Sequence, residues 1–255
     1  MFEALILGVV QGLTEFLPVS STAHLILFPW FFHWQGEIDT LTFDVALHAG
    51  TLLALLICFW RDWMDLLAKK RKLLLLIVIA SIPAGVAGIL LNNVVESRLR
   101  IPSVISASLI LIGIFMLVSE RVQKRRKTGD IRLADAVVIG ISQAIALIPG
   151  VSRSGITIST GLFRGIGRES SAKFSFLLST PVVAGAVLLH ARKIMTGGEA
   201  YDIPLFTVGF LASAITGFAA IKFLMNYLKK SPVDVFAYYR FGLAAVIILG
   251  IWLKG

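Results

Sequence analysis

Cysteine is nearly absent: the 255 residues contain one, Cys58. A disulfide framework and a cysteine-ligated metal centre are therefore excluded. Charge is scarce too. Charged side chains make up 15% of the chain and hydrophobic ones 57%, where a soluble domain carries about 25% charge. With a mean hydropathy of +0.86, this excludes a disordered chain, a coiled coil and almost any water-soluble enzyme. The first 60 positions hold no Lys or Arg, so the apolar N-terminal run lacks the basic flank of a cleavable signal peptide. The length suits one compact unit, and residues 1–255 read as a single membrane domain.

What the chain has is long apolar runs, at 43–60, 73–91, 103–118, 174–191, 204–225 and 235–253. Each is close to the roughly 20 residues that cross a hydrocarbon core. Residues 2–33 and 133–165 behave differently. They are interrupted by Pro18 with Ser20, Ser21 and Thr22, and by Pro149 with Gly150, Ser152 and Ser154. Their halves are mostly too short to span and read as re-entrant helix pairs. The expected fold is an all-α integral membrane protein with six transmembrane helices plus two re-entrant pairs.

The basic residues orient it. Of the 24 Lys and Arg, 18 fall in loops on one side, among them Arg121, Lys124, Arg125, Arg126, Arg164, Arg168 and Arg240. Five (Arg98, Arg100, Arg192, Lys193 and Lys254) fall on the other, and Arg153 lies alone inside a broken run. That asymmetry places the basic loops in the cytoplasm. The net charge of +9 is thus an orientation signal, and no nucleic-acid partner is expected. Trp30, Phe31, Phe32 and Trp34 read as an interfacial belt.

The two broken regions resemble each other. Gln11-Gly-Leu-Thr-Glu-Phe-Leu-Pro-Val-Ser-Ser21 matches Gln143-Ala-Ile-Ala-Leu-Ile-Pro-Gly-Val-Ser-Arg153 in its Gln, its Pro and its Val-Ser tip. A phenylalanine follows each Gln after 32 and 31 residues, at Phe43 and Phe174. Three spans separate the two, so repeat one (about 1–118) and repeat two (about 133–253) have opposite topology, an architecture that builds its site where the broken elements meet.

An ionisable side chain at bilayer depth costs about 2.5–3.5 kcal/mol and marks function by default. The candidates are Glu15, His24, Asp44, His48 and Arg153. Asp44 and His48, four residues apart on one helix face, are expected to pair with each other. Glu15, Ser20, Ser21, Thr22 and His24 gather at one break, and Ser152, Arg153, Ser154 and Thr157 at the other. Half-helices beginning near Thr22 and Gly155 would offer free N–H groups to an anion. Arg153 would add bidentate recognition of phosphate-like oxygens. Gly150 and Gly155 serve the backbone geometry.

Gln-Gly-Leu-Thr-Glu-Phe-Leu-Pro-Val-Ser-Ser-Thr-Ala-His (11–24) and Pro-Gly-Val-Ser-Arg-Ser-Gly (149–155) resemble the motifs of the undecaprenyl pyrophosphate phosphatases of the bacitracin-resistance type. The resemblance runs the length of the chain. It implies an integral inner-membrane hydrolase that takes one phosphate from undecaprenyl pyrophosphate, regenerating the lipid carrier of cell-wall synthesis, with its site reached from the outer face. Glu15, Ser21, His24 and Arg153 match the family's functional residues. Gln11 stands where many members have glutamate, and Ala23 where they have glycine. Gln11 cannot act as a base or a charged metal ligand, which leaves a two-carboxylate metal mechanism unsupported.

On this reading Arg153, with Gln11, Ser20, Thr22, Gly150, Ser152, Ser154, Gly155 and Thr157, holds the pyrophosphate. Ser21 attacks phosphorus or positions a water that does, and His24 is the general base and acid. Glu15 orients His24 or binds a divalent cation, Mg²⁺ or Ca²⁺, together with substrate oxygens. The partners expected are a polyprenyl pyrophosphate lipid and the membrane, and a homodimer is admitted. The rival is a lipid-phosphate flippase or secondary transporter, which also uses inverted repeats with broken helices. A phosphatidic-acid-phosphatase reading is poor, because none of the eight prolines follows an arginine.

Overall fold

The computed structural model describes residues 1–124, 126–197 and 201–254, so Arg125 lies outside the described residues, as do the side chains of Lys193 and Lys254. The described residues form α-helices with short 3₁₀ and π turns and no strand. In chain order these are α1 (Phe2–Phe16), α2 (Ser21–Phe32), α3 (Leu41–Cys58), α4 (Trp60–Ala68), α5 (Arg71–Val94) and α6 (Pro102–Glu120). Then follow α7 (Leu133–Ile145), α8 (Arg153–Phe163), α9 (Arg168–Gly197), α10 (Ile203–Tyr227) and α11 (Asp234–Lys254).

Six of these helices are long and apolar enough to cross a membrane: 41–58, 71–91, 102–120, 168–190, 203–227 and 234–253. They coincide with the six runs read from the sequence. The protein is a multi-pass membrane protein. Helices α1, α2, α7 and α8 have 15, 12, 13 and 11 residues. At 1.5 Å per residue that gives about 17–23 Å, short of a hydrocarbon core of about 30 Å.

The breaks have local causes. Leu17 precedes Pro18, and the clash with the ring pushes it to an extended φ, ψ of −65°, 140°, which ends α1. The end of α7 tightens through i→i+3 hydrogen bonds at Ala146, Leu147 and Ile148 before Pro149. The two restarts then share one backbone geometry. Ser20 (φ 78°, ψ 95°) and Ser152 (φ 69°, ψ 111°) are both N-caps with positive φ. Each Oγ accepts from the N–H three residues on, Ala23 at 3.4 Å and Gly155 at 3.1 Å. The helices therefore begin at Ser21 and Arg153, not at Thr22 and Gly155. The packing matches as well: α1 lies on α10, and α7 on α5.

Several loop cations are not merely solvated. Asp135, fully buried, binds Arg126 Nη2 at 2.5 Å, Arg164 Nε at 2.7 Å and the Arg132 N–H at 2.9 Å. Burial alone would raise its carboxyl, but the two guanidiniums and the N–H outweigh this and hold it at about 2. Glu120 similarly pairs with Arg168 and Lys124. These clusters tie the 121–132 connection to the starts of α7 and α9.

Candidate active site

The two breaks face each other across a cavity of about 210 Å³. Glu15, Ser20, Ser21, Thr22 and His48 line it from the first half of the chain, and Gln143, Ser152 and Arg153 from the second. Ala84 of α5 and Val182 and Val183 of α9 form an apolar wall.

Glu15 is the hub. One turn earlier on α1, Gln11 Nε2 donates to its Oε2 at 3.2 Å. Ser21, the first residue of α2, donates its hydroxyl to the same oxygen at 2.6 Å. Arg153 reaches across from the other break and pairs with Oε1. His48 on α3 presents Nε2 to Oε2 at 3.6 Å, its Nδ1 donating to the Asp44 carbonyl at 2.7 Å. An amide, a hydroxyl, a guanidinium and an imidazole thus converge around one carboxyl group. Arg153 Nη1 is buried at the wall and has no hydrogen-bond partner among the described residues. The N–H groups of Ser21 and Thr22, in the first turn of α2, have no intrahelical acceptor.

Three expectations need correcting. His24 does not meet Ser21: its Nδ1 donates to the Ser20 carbonyl at 2.7 Å, and its Nε2 accepts from the Tyr239 hydroxyl at 2.7 Å. Residues three apart share a face only inside a regular helix, and here Ser21 turns back toward Glu15. In this geometry the proton acceptor at Ser21 is Glu15. Asp44 and His48 do not pair side chain to side chain: Asp44 binds Arg100 at 3.1 Å, which frees His48 for the cavity. Arg240 is not in a cytoplasmic loop. It sits inside α11, fully buried.

Arg240 is the residue that sequence reasoning missed. Its guanidinium donates to the carbonyls of Gly150 at 2.7 Å and Val151 at 3.1 Å, and to Pro18 at 3.3 Å. It also reaches Leu109 at 3.2 Å and Ser108 at 3.3 Å on α6. One side chain thus clasps both breaks to α6. Its position within the apolar run 235–253 was the available signal, since a guanidinium there needs acceptors.

The other expected residues divide. Ser20, Thr22 and Ser152 reach the cavity, while Ser154, Gly155, Thr157 and Gly150 stand behind it. Ser154 donates to the Leu17 carbonyl at 3.2 Å and bridges the breaks, while Thr157 pairs with Ser175 of α9 at 2.6 Å. Gly150 has φ +90°, and a Cβ there would lie 2.6 Å from the Ile105 carbonyl. Only glycine fits. For a metal, no group of three or more His, Cys, Asp or Glu side chains able to hold an ion occurs among the described residues. Glu15 can still hold a cation that arrives with phosphate oxygens, since Mg²⁺ needs only one or two carboxylates in that setting.

A family profile described as Bacitracin resistance protein BacA matches residues 4–246. The chain belongs to this family. An undecaprenyl-diphosphatase of Thermodesulfovibrio yellowstonii is 55% identical over 249 residues, 98% of this chain and 96% of that one. An undecaprenyl-diphosphatase of Moorella thermoacetica is 44% identical over 264 residues, covering 100% and 99%. A third, from Caldicellulosiruptor bescii, is 44% identical over 257 residues, covering 97% and 96%. This BacA-family chain therefore matches such proteins over essentially their whole length, and both breaks fall inside the matched region.

Proposed function

We propose that this protein hydrolyses undecaprenyl diphosphate to undecaprenyl phosphate and phosphate, returning the lipid carrier to cell-wall synthesis. The observation that carries the reading is the hydroxyl–carboxylate–guanidinium line Ser21–Glu15–Arg153, drawn from both breaks across one cavity. A pyrophosphate needs an in-line nucleophile and neutralisation of its equatorial oxygens. Ser21 Oγ attacks the terminal phosphorus as its proton passes to Glu15 Oε2. The bond from that phosphorus to the bridging oxygen breaks, and the prenyl monophosphate departs with the proton. Water then attacks the phosphoserine, losing a proton to Glu15; the phosphorus–Oγ bond breaks, inorganic phosphate leaves, and Glu15 returns the proton to Ser21 Oγ. The first-turn N–H groups of α2 bind the equatorial oxygens on which charge accumulates, and Arg153 Nη1 neutralises charge on the departing phosphate. His48, beside Glu15, carries protons between the carboxylate and the cavity. A divalent cation held by Glu15 with substrate oxygens would neutralise further charge.

The same reading takes α1–α2 and α7–α8 as re-entrant pairs in two halves of opposite topology. The shared positive-φ serine caps and the exchanged packing of α1 and α7 support it. It puts the protein in the bacterial cytoplasmic membrane with the cavity reached from the outer face. The test is phosphate release by the purified protein in detergent, from undecaprenyl diphosphate and from shorter prenyl diphosphates, with and without chelator. Detergent abolishes the two compartments that a pure transporter needs, so release supports hydrolysis and its absence overturns the reading.

A further inference from the structure

Gln143 is the second-repeat counterpart of Gln11, yet the proposed mechanism leaves it unused. It lies on α7, 3% exposed, and lines the reaction cavity. Neither its Nε2 nor its Oε1 has a hydrogen-bond partner among the described residues. Exchanging the amide's nitrogen and oxygen would not change this, because both ends are orphaned. Gln11 differs in having its Nε2 satisfied by Glu15, one turn on, with only its Oε1 left unpaired among the described residues. One turn after Gln143 stands Leu147. A buried carboxamide without partners is costly and rare, and an apolar residue would serve packing better. The other orphaned group on the same half of the wall is Arg153 Nη1, a donor like Gln143 Nε2.

The two breaks are thus chemically unequal. The first supplies nucleophile and base, Ser21 and Glu15. The matching positions of the second are Arg153 and Leu147, which can neither attack nor accept a proton. What the second break offers to phosphate oxygens is two unpaired donors, Gln143 Nε2 and Arg153 Nη1. We infer that Gln143, with Arg153 Nη1, binds the phosphate that is not attacked, the one carrying the prenyl chain, and so selects diphosphates over monophosphates. A neutral amide suits this task, because it holds the leaving phosphate without retaining it as tightly as a second cation would.

The inference rests on the diphosphatase reading, so its test measures binding apart from turnover. The probes are a non-hydrolysable farnesyl methylenediphosphonate and the corresponding farnesyl monophosphonate, titrated calorimetrically into wild type, Gln143→Leu and Gln143→Met in detergent. Losing a hydrogen bond to a charged oxygen weakens affinity about ten- to hundred-fold. That loss is expected in both variants for the methylenediphosphonate, with monophosphonate affinity unchanged. Unchanged methylenediphosphonate affinity, or an equal loss on both probes, overturns the assignment. Failure of both variants to fold, judged by gel filtration and helical circular dichroism, would make Gln143 a structural residue and equally overturn it. If wild type itself fails to bind the methylenediphosphonate, the diphosphatase reading falls and this inference with it.

Discussion

Replacing Arg240 by methionine should damage stability and turnover together, although Arg240 takes no part in the chemistry proposed. Methionine keeps the length and apolar stem of the side chain and removes the donors. Three of the hydrogen bonds, to Gly150, Val151 and Leu109, are 3.2 Å or shorter. At about 1.5 kcal/mol each for a charged donor, their loss amounts to roughly 4–5 kcal/mol. The longer contacts to Pro18 and Ser108 add little. For a chain of this size that corresponds to a fall in melting temperature of roughly 10–20 °C. Turnover should fall further than the folded fraction, because the freed carbonyls belong to the two breaks that aim Ser21 and Arg153. Arg240→Lys keeps the charge but offers no planar fork, so it should recover little. The measurements are thermal unfolding in detergent and phosphate release normalised to folded protein. An Arg240→Met protein that melts within a few degrees of wild type and turns over normally would refute the clasp.

Other outcomes follow from the same geometry. Ser20→Ala with Ser21→Ala should leave no more than a trace of phosphate release; a loss of only about 10²–10³ would mean that water attacks and Ser21 merely orients it. Glu15→Gln keeps the shape of the hub but cannot accept the Ser21 proton, so kcat should collapse while methylenediphosphonate binding persists; loss of binding with kcat retained would point to a purely electrostatic role. Asp135 has a folded value of about 2, below its ordinary 3.8. Its contribution, about 2 kcal/mol, is therefore present above the ordinary value and lost as pH falls toward the folded one. Asp135→Asn should flatten the acid limb of stability between about pH 4 and 2, and a melting profile unchanged across that range would contradict it. Single cysteines placed at 35–42 and at 121–132 in a Cys58→Ser background should differ in labelling by an impermeant thiol reagent, only the first set reacting from outside. Equal labelling would remove the opposed-topology argument.

The spans were legible because an apolar run of about 20 residues has almost no other fate in a chain this poor in charge. The breaks were legible because proline and serine act locally. Side-chain direction was not. Ser21 and His24 share a spacing that suggests one face, but the positive-φ cap at Ser20 redirects the first turn; Ser21 turns back to Glu15 across the break, and His24 finds Tyr239, 215 residues away. Asp44 and His48 look like an ion pair until Arg100, 56 residues away, claims the carboxylate. Arg240 was misread for the opposite reason. A rule that reads basic residues as loop signals has no place for one held by backbone carbonyls from three segments. For His24, Asp44 and Arg240 a tertiary contact overrode a local pattern, and sequence spacing alone does not encode such contacts.

The clasp also sets the order in which the site can come into being. Every residue that lines the cavity, from Glu15 to Val183, is synthesised before Arg240. Until then the two bent segments that carry the nucleophile, the base and the anion-binding arginine are joined to each other by Ser154 on Leu17 and Arg153 on Glu15, but not to α6 through Arg240. Only when α11 packs against α6 does a single guanidinium fix both segments at once. The final geometry of the centre is therefore completed by a helix that contributes none of its reacting groups.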